Sequence, residues 1–175
     1  MSVTRRLARL RVPLGFLFGI VVIWIATPTV TTLAWGLPIA ALGELLRIWA
    51  AGHLEKSREV TRSGPYRWLR HPLYVGSSLM AAGLAVAAGS VVVAIIVVVY
   101  MTTTVTAAIL TENAFLRQTF GADYAAWQAG TVPAGTAPAV VRRFSLERAV
   151  RNREYRALTG FLVFAALLAY KATTL

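Results

Sequence analysis

The densest run of polar and aromatic residues in the chain is Ser63-Gly64-Pro65-Tyr66-Arg67-Trp68-Leu69-Arg70-His71-Pro72-Leu73-Tyr74-Val75-Gly76. Pro72 suits the first turn of a helix, where its missing N–H deprives no partner. The run therefore reads as a turn that opens into a helix N-terminus. Unpaired N–H groups and the helix dipole favour an anionic ligand group at such a place. Arg70 can add a bidentate contact to a carboxylate or phosphate, and Tyr66, Trp68 and Tyr74 can wall an aromatic ligand. The same side chains also suit the headgroup level of a membrane interface, and residue type alone leaves both readings open. Glu112 is a second candidate. It solvates or caps a helix, or it sets a negative charge close to the interface that holds His71. Glu44 and Arg47 stand three apart on one helix face and can pair, with a packing role as the simpler reading. His53 is isolated. The chain has no cysteine, which excludes disulfides, thiolate catalysis and cysteine metal sites.

The elements that must position these residues are apolar. Of 175 residues, 57% are hydrophobic and 14% charged, against about a quarter charged in ordinary soluble domains. No Asp, Glu, Lys or Arg occurs in 12–43, 71–111 or 157–170. A bilayer-spanning helix needs roughly 20 apolar residues, so the first two stretches suit hairpins of two spans and the third extends into one. The expectation is an all-α, polytopic membrane bundle forming one domain over 1–175, with about five spans near 12–27, 31–52, 72–88, 91–110 and 155–173. Thr27-Pro28-Thr29 breaks the first hairpin and Gly89-Ser90 turns the second. Ala81, Ala82, Gly83, Ala85, Ala87 and Ala88 give the third span a small face for close packing. Residues 111–128 read as a separate amphipathic helix, with Leu116, Phe120, Tyr124 and Trp127 at helical spacing and Gly121 ending or kinking it. A last helix starts near Ser145, a suitable N-cap.

The net charge of +11 does not point to nucleic acid, because its placement follows the membrane. Arg5, Arg6, Arg9 and Arg11 precede the first span. The basic residues from Lys56 to Arg70 follow the second, and those from Arg117 to Arg156 follow the fourth. Only Lys171 lies on the other side. This is the positive-inside pattern, and it places the N-terminus and both long loops in the cytoplasm. The arginine-rich, alanine-rich composition suggests a bacterial inner membrane.

Gly64-Pro65-Tyr66 followed by Arg70-His71-Pro72-Leu73-Tyr74-Val75-Gly76 resembles the signature of the isoprenylcysteine carboxyl methyltransferases and the related phospholipid methyltransferases. Glu112 with Leu116, Phe120-Gly121, Tyr124 and Trp127 is similar to the family's second block, and the likeness covers about 46–138. The resemblance implies methyl transfer from S-adenosylmethionine to a lipophilic acceptor at the cytoplasmic face, without a metal. It implies that His71, Tyr74 and Glu112 contact the cofactor. Arg70, Pro72, Leu73 and Gly76 would shape its pocket, with Tyr66 beside it. An amine acceptor needs a base, and Glu112 is the nearest catalytic candidate. The chain departs from the family at Asn113, where a second acid is common, and at Ala108 and Ala134, where arginines are common. These departures leave the acceptor open as a lipophilic acid, thiol, amine or lipid headgroup. Membrane sterol reductases, which bind NADPH, share a similar first block. A non-catalytic scaffold of the same fold is the remaining alternative.

Overall fold

In a computed structural model of the chain, residues 18–56, 58–130 and 142–174 are described. Arg5, Arg6, Arg9 and Arg11, the start of the first expected span and most of the 129–142 loop lie outside them. The described residues are helical and turn segments only. They form α1 (18–25), α2 (Val30–Ala51), a 3-10 turn (Gly64–Arg67), α3 (Pro72–Ala87), α4 (Val91–Ala129), α5 (Leu146–Arg151) and α6 (Tyr155–Thr174). Of these, α2, α4 and α6 are long and apolar enough to cross a membrane. Their outward faces carry large apolar side chains, among them Trp35, Ile95, Val98 and Leu162, all more than half exposed. Side chains of that kind are at home in lipid.

The bundle is built on a seam of glycines. A Cβ at Gly43 of α2 would sit 2.6 Å from the Gly76 carbonyl oxygen and 2.8 Å from Met80 Cα; one at Gly83 of α3 would sit 2.7 Å from Ala40 Cα. Gly36 and Gly43 thus meet Gly83 and Gly76 with the two backbones in contact. Lipid tails are as apolar as leucine, so association in a membrane depends on this close packing and not on expulsion of water. Of the small residues expected to form a face on the third span, Gly83 and Ala87 pack against α2, whereas Ala82 is exposed.

Both hairpin turns are tied together at the uncharged end. Thr27 N–H donates to Ala88 O at 2.8 Å and Thr27 Oγ1 donates to Gly89 O at 3.0 Å. Thr29 and Thr32 form a reciprocal capping box at the start of α2, and Thr32 Oγ1 also reaches Ala87 O at 3.1 Å. Lys171, the one basic residue expected on that side, donates to Ile23 O and Trp24 O at 2.8 and 2.9 Å. It thereby caps orphan carbonyls at the end of α1, where the helix dipole favours a cation.

Two boundaries differ from the sequence reading. The fourth span and the amphipathic helix are one 39-residue element, interrupted where Gly121 takes φ 46°, ψ −116°. Eleven residues of straight helix would separate Asn113 from Tyr124 by about 16 Å. Instead, Tyr124 Oη donates to Asn113 Oδ1 at 2.6 Å, so the chain folds back at the glycine. The last helix is split as well. Ser145 caps only the six residues of α5, and α6 begins after Arg153, which sits at φ 62°.

The charged end encloses ions. Glu44 is 2% exposed and Glu154 6%. Arg47 lies between them, with Nε 3.4 Å from Glu44 Oε2 and 2.7 Å from Glu154 Oε1, and it also donates to Ser77 Oγ. This cluster ties α2, α3 and the start of α6. The pairing of Glu44 with Arg47 follows from their spacing, whereas the part of Glu154 does not.

Candidate functional site

A cavity of about 490 Å³ opens at the charged end, between the start of α3, the lower half of α4 and the connection from α2 to α3. Its polar corner is made by the segment that the sequence singles out. Gly64, at φ +59°, allows the 3-10 turn to pass over His53; a Cβ there would lie 2.6 Å from His53 Cγ. That turn delivers Tyr66 into the wall, 8% exposed. Burial first, and the Glu112 charge second, push its hydroxyl above the ordinary tyrosine range, so it remains a neutral hydrogen-bonding group. His53 Nδ1–H donates to Trp49 O, 2.9 Å away, and the ring serves as the floor of the turn.

His71 is the N-cap of α3, and Pro72 occupies the first helical turn. His71 Nδ1 lies 3.8 Å from Glu112 Oε2, joining the two sequence blocks across the cavity. The imidazole also lies against the Tyr74 ring, with centroids 5.8 Å apart. Arg70 is aimed by a hydrogen bond from Nη2 to Gln128 O at 2.9 Å, which the fold-back at Gly121 makes available. Tyr66, Arg70, His71, Pro72, Leu73, Tyr74 and Glu112 all line the cavity. Gly76 does not. It lies in the α2–α3 seam, where a Cβ would be 2.7 Å from Arg47 Cγ.

The opposite face of the cavity is made by Thr103, Thr104, Ala107, Ala108 and Phe115 of α4, with Tyr124 and Trp127 from beyond its kink. Thr104 Oγ1 donates to Tyr100 O at 2.7 Å and so spends its donor on its own helix. The face is apolar in effect and lies on a membrane-crossing helix. Sequence reading missed the third wall, the 54–61 connection, which contributes Glu55, Glu59 and Thr61. No periodicity marks this loop. Its carboxylates are paired with arginines far along the chain. Glu55 meets Arg148 at 2.7 Å and Arg151 at 3.2 Å, and Glu59 meets Arg142 at 2.7 Å. The hydrogen bond from Arg148 is the main reason that the Glu55 carboxyl titrates below the usual carboxylate range, against the opposing effect of its burial.

Among the described residues no group of three or more His, Asp or Glu side chains is placed to hold a metal ion. Chemically, the cavity offers a cation and a helix N-terminus on one side, a carboxylate on the other, aromatic walls between them, and an apolar face on α4, a helix long and apolar enough to cross a membrane. Its volume falls in the range of small-molecule sites, about 300–1,000 Å³.

The class is thus a helical integral membrane protein with a ligand-sized cavity at its charged end. The sequence pattern of the phospholipid methyltransferase family matches residues 14–123, and the chain belongs to that family. It is 31% identical over 99 residues to the nickel-cobalt-cadmium resistance protein NccN of Alcaligenes xylosoxydans xylosoxydans, covering 55% of this chain and 45% of that protein. Over the same length it is 31% identical to the cobalt-zinc-cadmium resistance protein CzcN of Cupriavidus metallidurans, covering 55% of this chain and 44% of that protein. The chain therefore matches less than half the length of these relatives. No solved structure matches it.

Proposed function

We propose that this chain is an S-adenosylmethionine-dependent methyltransferase that acts on a lipophilic acceptor at the cytoplasmic face of the membrane. The observation that carries this reading is the convergence of His71 and Glu112, 3.8 Å apart, in a cavity one face of which is the apolar stretch of α4, a helix long and apolar enough to cross a membrane. The donor set fits the cofactor. Arg70 and the first amides of α3 suit a carboxylate, Glu112 suits an ammonium group, and Tyr74 and Trp127 suit a purine. When bound, S-adenosylmethionine supplies a methyl group on a sulfonium. Arg70, His71 and Glu112 would hold it so that this methyl carbon is presented to an acceptor atom.

The residues contribute alignment and exclusion of water more than proton chemistry. His71 and Arg70 fix the polar end, and the threonine and alanine face of α4 leaves room for an apolar chain. A carboxylate acceptor is ionised near neutral pH and needs no base. For an amine acceptor, Glu112 is the carboxylate in the cavity without an arginine partner among the ion pairs described, and it would take the proton released.

Calorimetric titration of the detergent-purified protein with S-adenosylhomocysteine tests the reading, with NADPH as comparison. Saturable binding of the first and none of the second is expected. His71→Ala and Glu112→Ala should each weaken binding by about tenfold or more, the scale of a lost charge-assisted hydrogen bond. Glu147→Ala, on the far side of α5 and 89% exposed, should bind as wild type. Equal affinities in the three variants would remove His71 and Glu112 from the site.

A further inference from the structure

We infer that residues 142–152 form a strap that positions the 54–61 wall of the cavity, with Arg142 and Arg148 as positioning residues for ligand binding. The inference rests on the reading of this cavity as the methyl-transfer site. Among its described residues, 54–56 and 58–61, the wall has no helix or strand. Its own bonds are few: Glu55 N–H to Thr61 Oγ1 at 3.2 Å and Arg58 N–H to Glu55 O at 3.3 Å. Leu54 N–H also donates to Ala50 O of α2 at 3.1 Å, and the ion pairs that tie the wall's carboxylates to another element come from the strap. Arg142 makes a two-pronged contact with Glu59, Nε to Oε1 at 2.7 Å and Nη2 to Oε2 at 3.0 Å. Arg148 Nε reaches Glu55 Oε1 at 2.7 Å, and its Nη1 donates to Gly52 O at 2.6 Å. Arg151 adds bonds to both Glu55 oxygens at 3.2 and 3.3 Å.

The strap also holds the point from which the wall departs. Asn152 Nδ2 donates to Ala51 O and to Leu54 O, each at 2.9 Å, and Ser145 N–H donates to Gly52 O at 3.1 Å. The orphan carbonyls at the end of α2 are satisfied from a segment that begins some 90 residues later. Phe144 packs over Gly52, where a Cβ would lie 3.1 Å from its Cζ. None of Arg142, Phe144, Arg148, Arg151 or Asn152 lines the cavity, whereas both of the glutamates they hold do. Glu55 is 7% exposed. A carboxylate so enclosed keeps its place only while its partners hold theirs, because an unpaired buried charge is strongly destabilising. The strap therefore fixes the side of the cavity that neither sequence block builds, and it lies outside the segment shared with the family.

The test uses the full chain in detergent and two readouts. Hydrogen–deuterium exchange of the amides from 54 to 61 reports the wall, and S-adenosylhomocysteine affinity reports the cavity. The pair Arg142–Glu59 is about one-third exposed, so its variants should fold. Arg142→Glu and Glu59→Arg should each speed exchange and weaken affinity by roughly fivefold, the upper end for a partly exposed ion pair. The exchanged double variant should bring both within about twofold of wild type. Arg148→Met should have the larger effect, and Arg148→Lys, which keeps the charge but loses the fork, should recover part of it. Wild-type exchange in both Arg142→Glu and Arg148→Met would overturn the strap. So would a double variant no better than the singles. Faster exchange with unchanged affinity would overturn the positioning role. If exchange responds as expected but the wild type binds no S-adenosylhomocysteine, the strap stands and the methyl-transfer reading falls.

Discussion

Replacing Gly43 by alanine should disturb ligand binding although the residue is remote from the cavity. The added Cβ would lie 2.6 Å from Gly76 O and 2.8 Å from Met80 Cα, both backbone atoms that no side-chain rotation can clear. Met80 N is nearer still, and restoring ordinary contact with it at 3.4 Å separates the helices by about 1 Å. Forced overpacking of this kind costs about 1–3 kcal/mol. The displaced helix is α3, which carries His71 at its N-cap, 3.8 Å from Glu112 on α4. A shift near 1 Å exceeds the tolerance of a well-placed ligand contact, so affinity for S-adenosylhomocysteine should fall by about tenfold. Unfolding by dodecyl sulfate, followed by circular dichroism, gives the stability; thiol dyes have nothing to report in a chain without cysteine. Gly160→Ala is the control. Nothing lies within 4 Å of its added Cβ, and alanine should leave α6 unchanged or more stable by up to ~1 kcal/mol. Gly43→Ala with wild-type stability and affinity would refute the close seam and the dependence of the site on it.

Arg47→Met should destabilise the fold by about 3–5 kcal/mol, because it leaves Glu44 and Glu154 enclosed without their shared cation; dodecyl sulfate unfolding measures it. Asn113→Ala should cost about 1–3 kcal/mol by stripping Tyr124 Oη of its acceptor, and adding Tyr124→Phe should return part of that loss in the same assay. Acid should loosen the 54–61 wall. The Glu55 carboxyl is held low, chiefly by Arg148 and also by Arg151 and Arg142. Its folded-state stabilisation is therefore complete above the unfolded carboxylate value of about 4.3 and disappears as pH falls through the lower folded value. Amide exchange of 54–61, corrected for intrinsic rates, should accelerate over that window in wild type and change little in Glu55→Gln.

What the sequence disclosed and what it hid divide by range. Charge-free stretches, Pro72 and the glycine turn at 89 act locally, and they mark the helices well. The two motif blocks converge because His71 and Glu112 each lie about twenty residues from the shared turn at Gly89-Ser90, so they were readable as neighbours. The fold-back that brings Tyr124 to Asn113 depends on the φ of a single glycine, and helical spacing continues across Gly121 without showing it. Gly76 falls within the motif yet serves the seam, because adjacent positions of a helix face different neighbours. The 54–61 wall was least visible. Its carboxylates are matched to arginines 83 to 96 positions away, and charge pairing at such distance leaves no pattern in a window of sequence.

That distance also sets a clock on biosynthesis. Ribosomes add about 5–20 residues per second, so the 83 positions from Glu59 to Arg142 take roughly 4–17 s to translate. During that interval the first two hairpins can enter the bilayer and close their glycine seam while Glu55 and Glu59 still await their cations. The binding compartment is therefore finished last, after the helices that frame it are already in place.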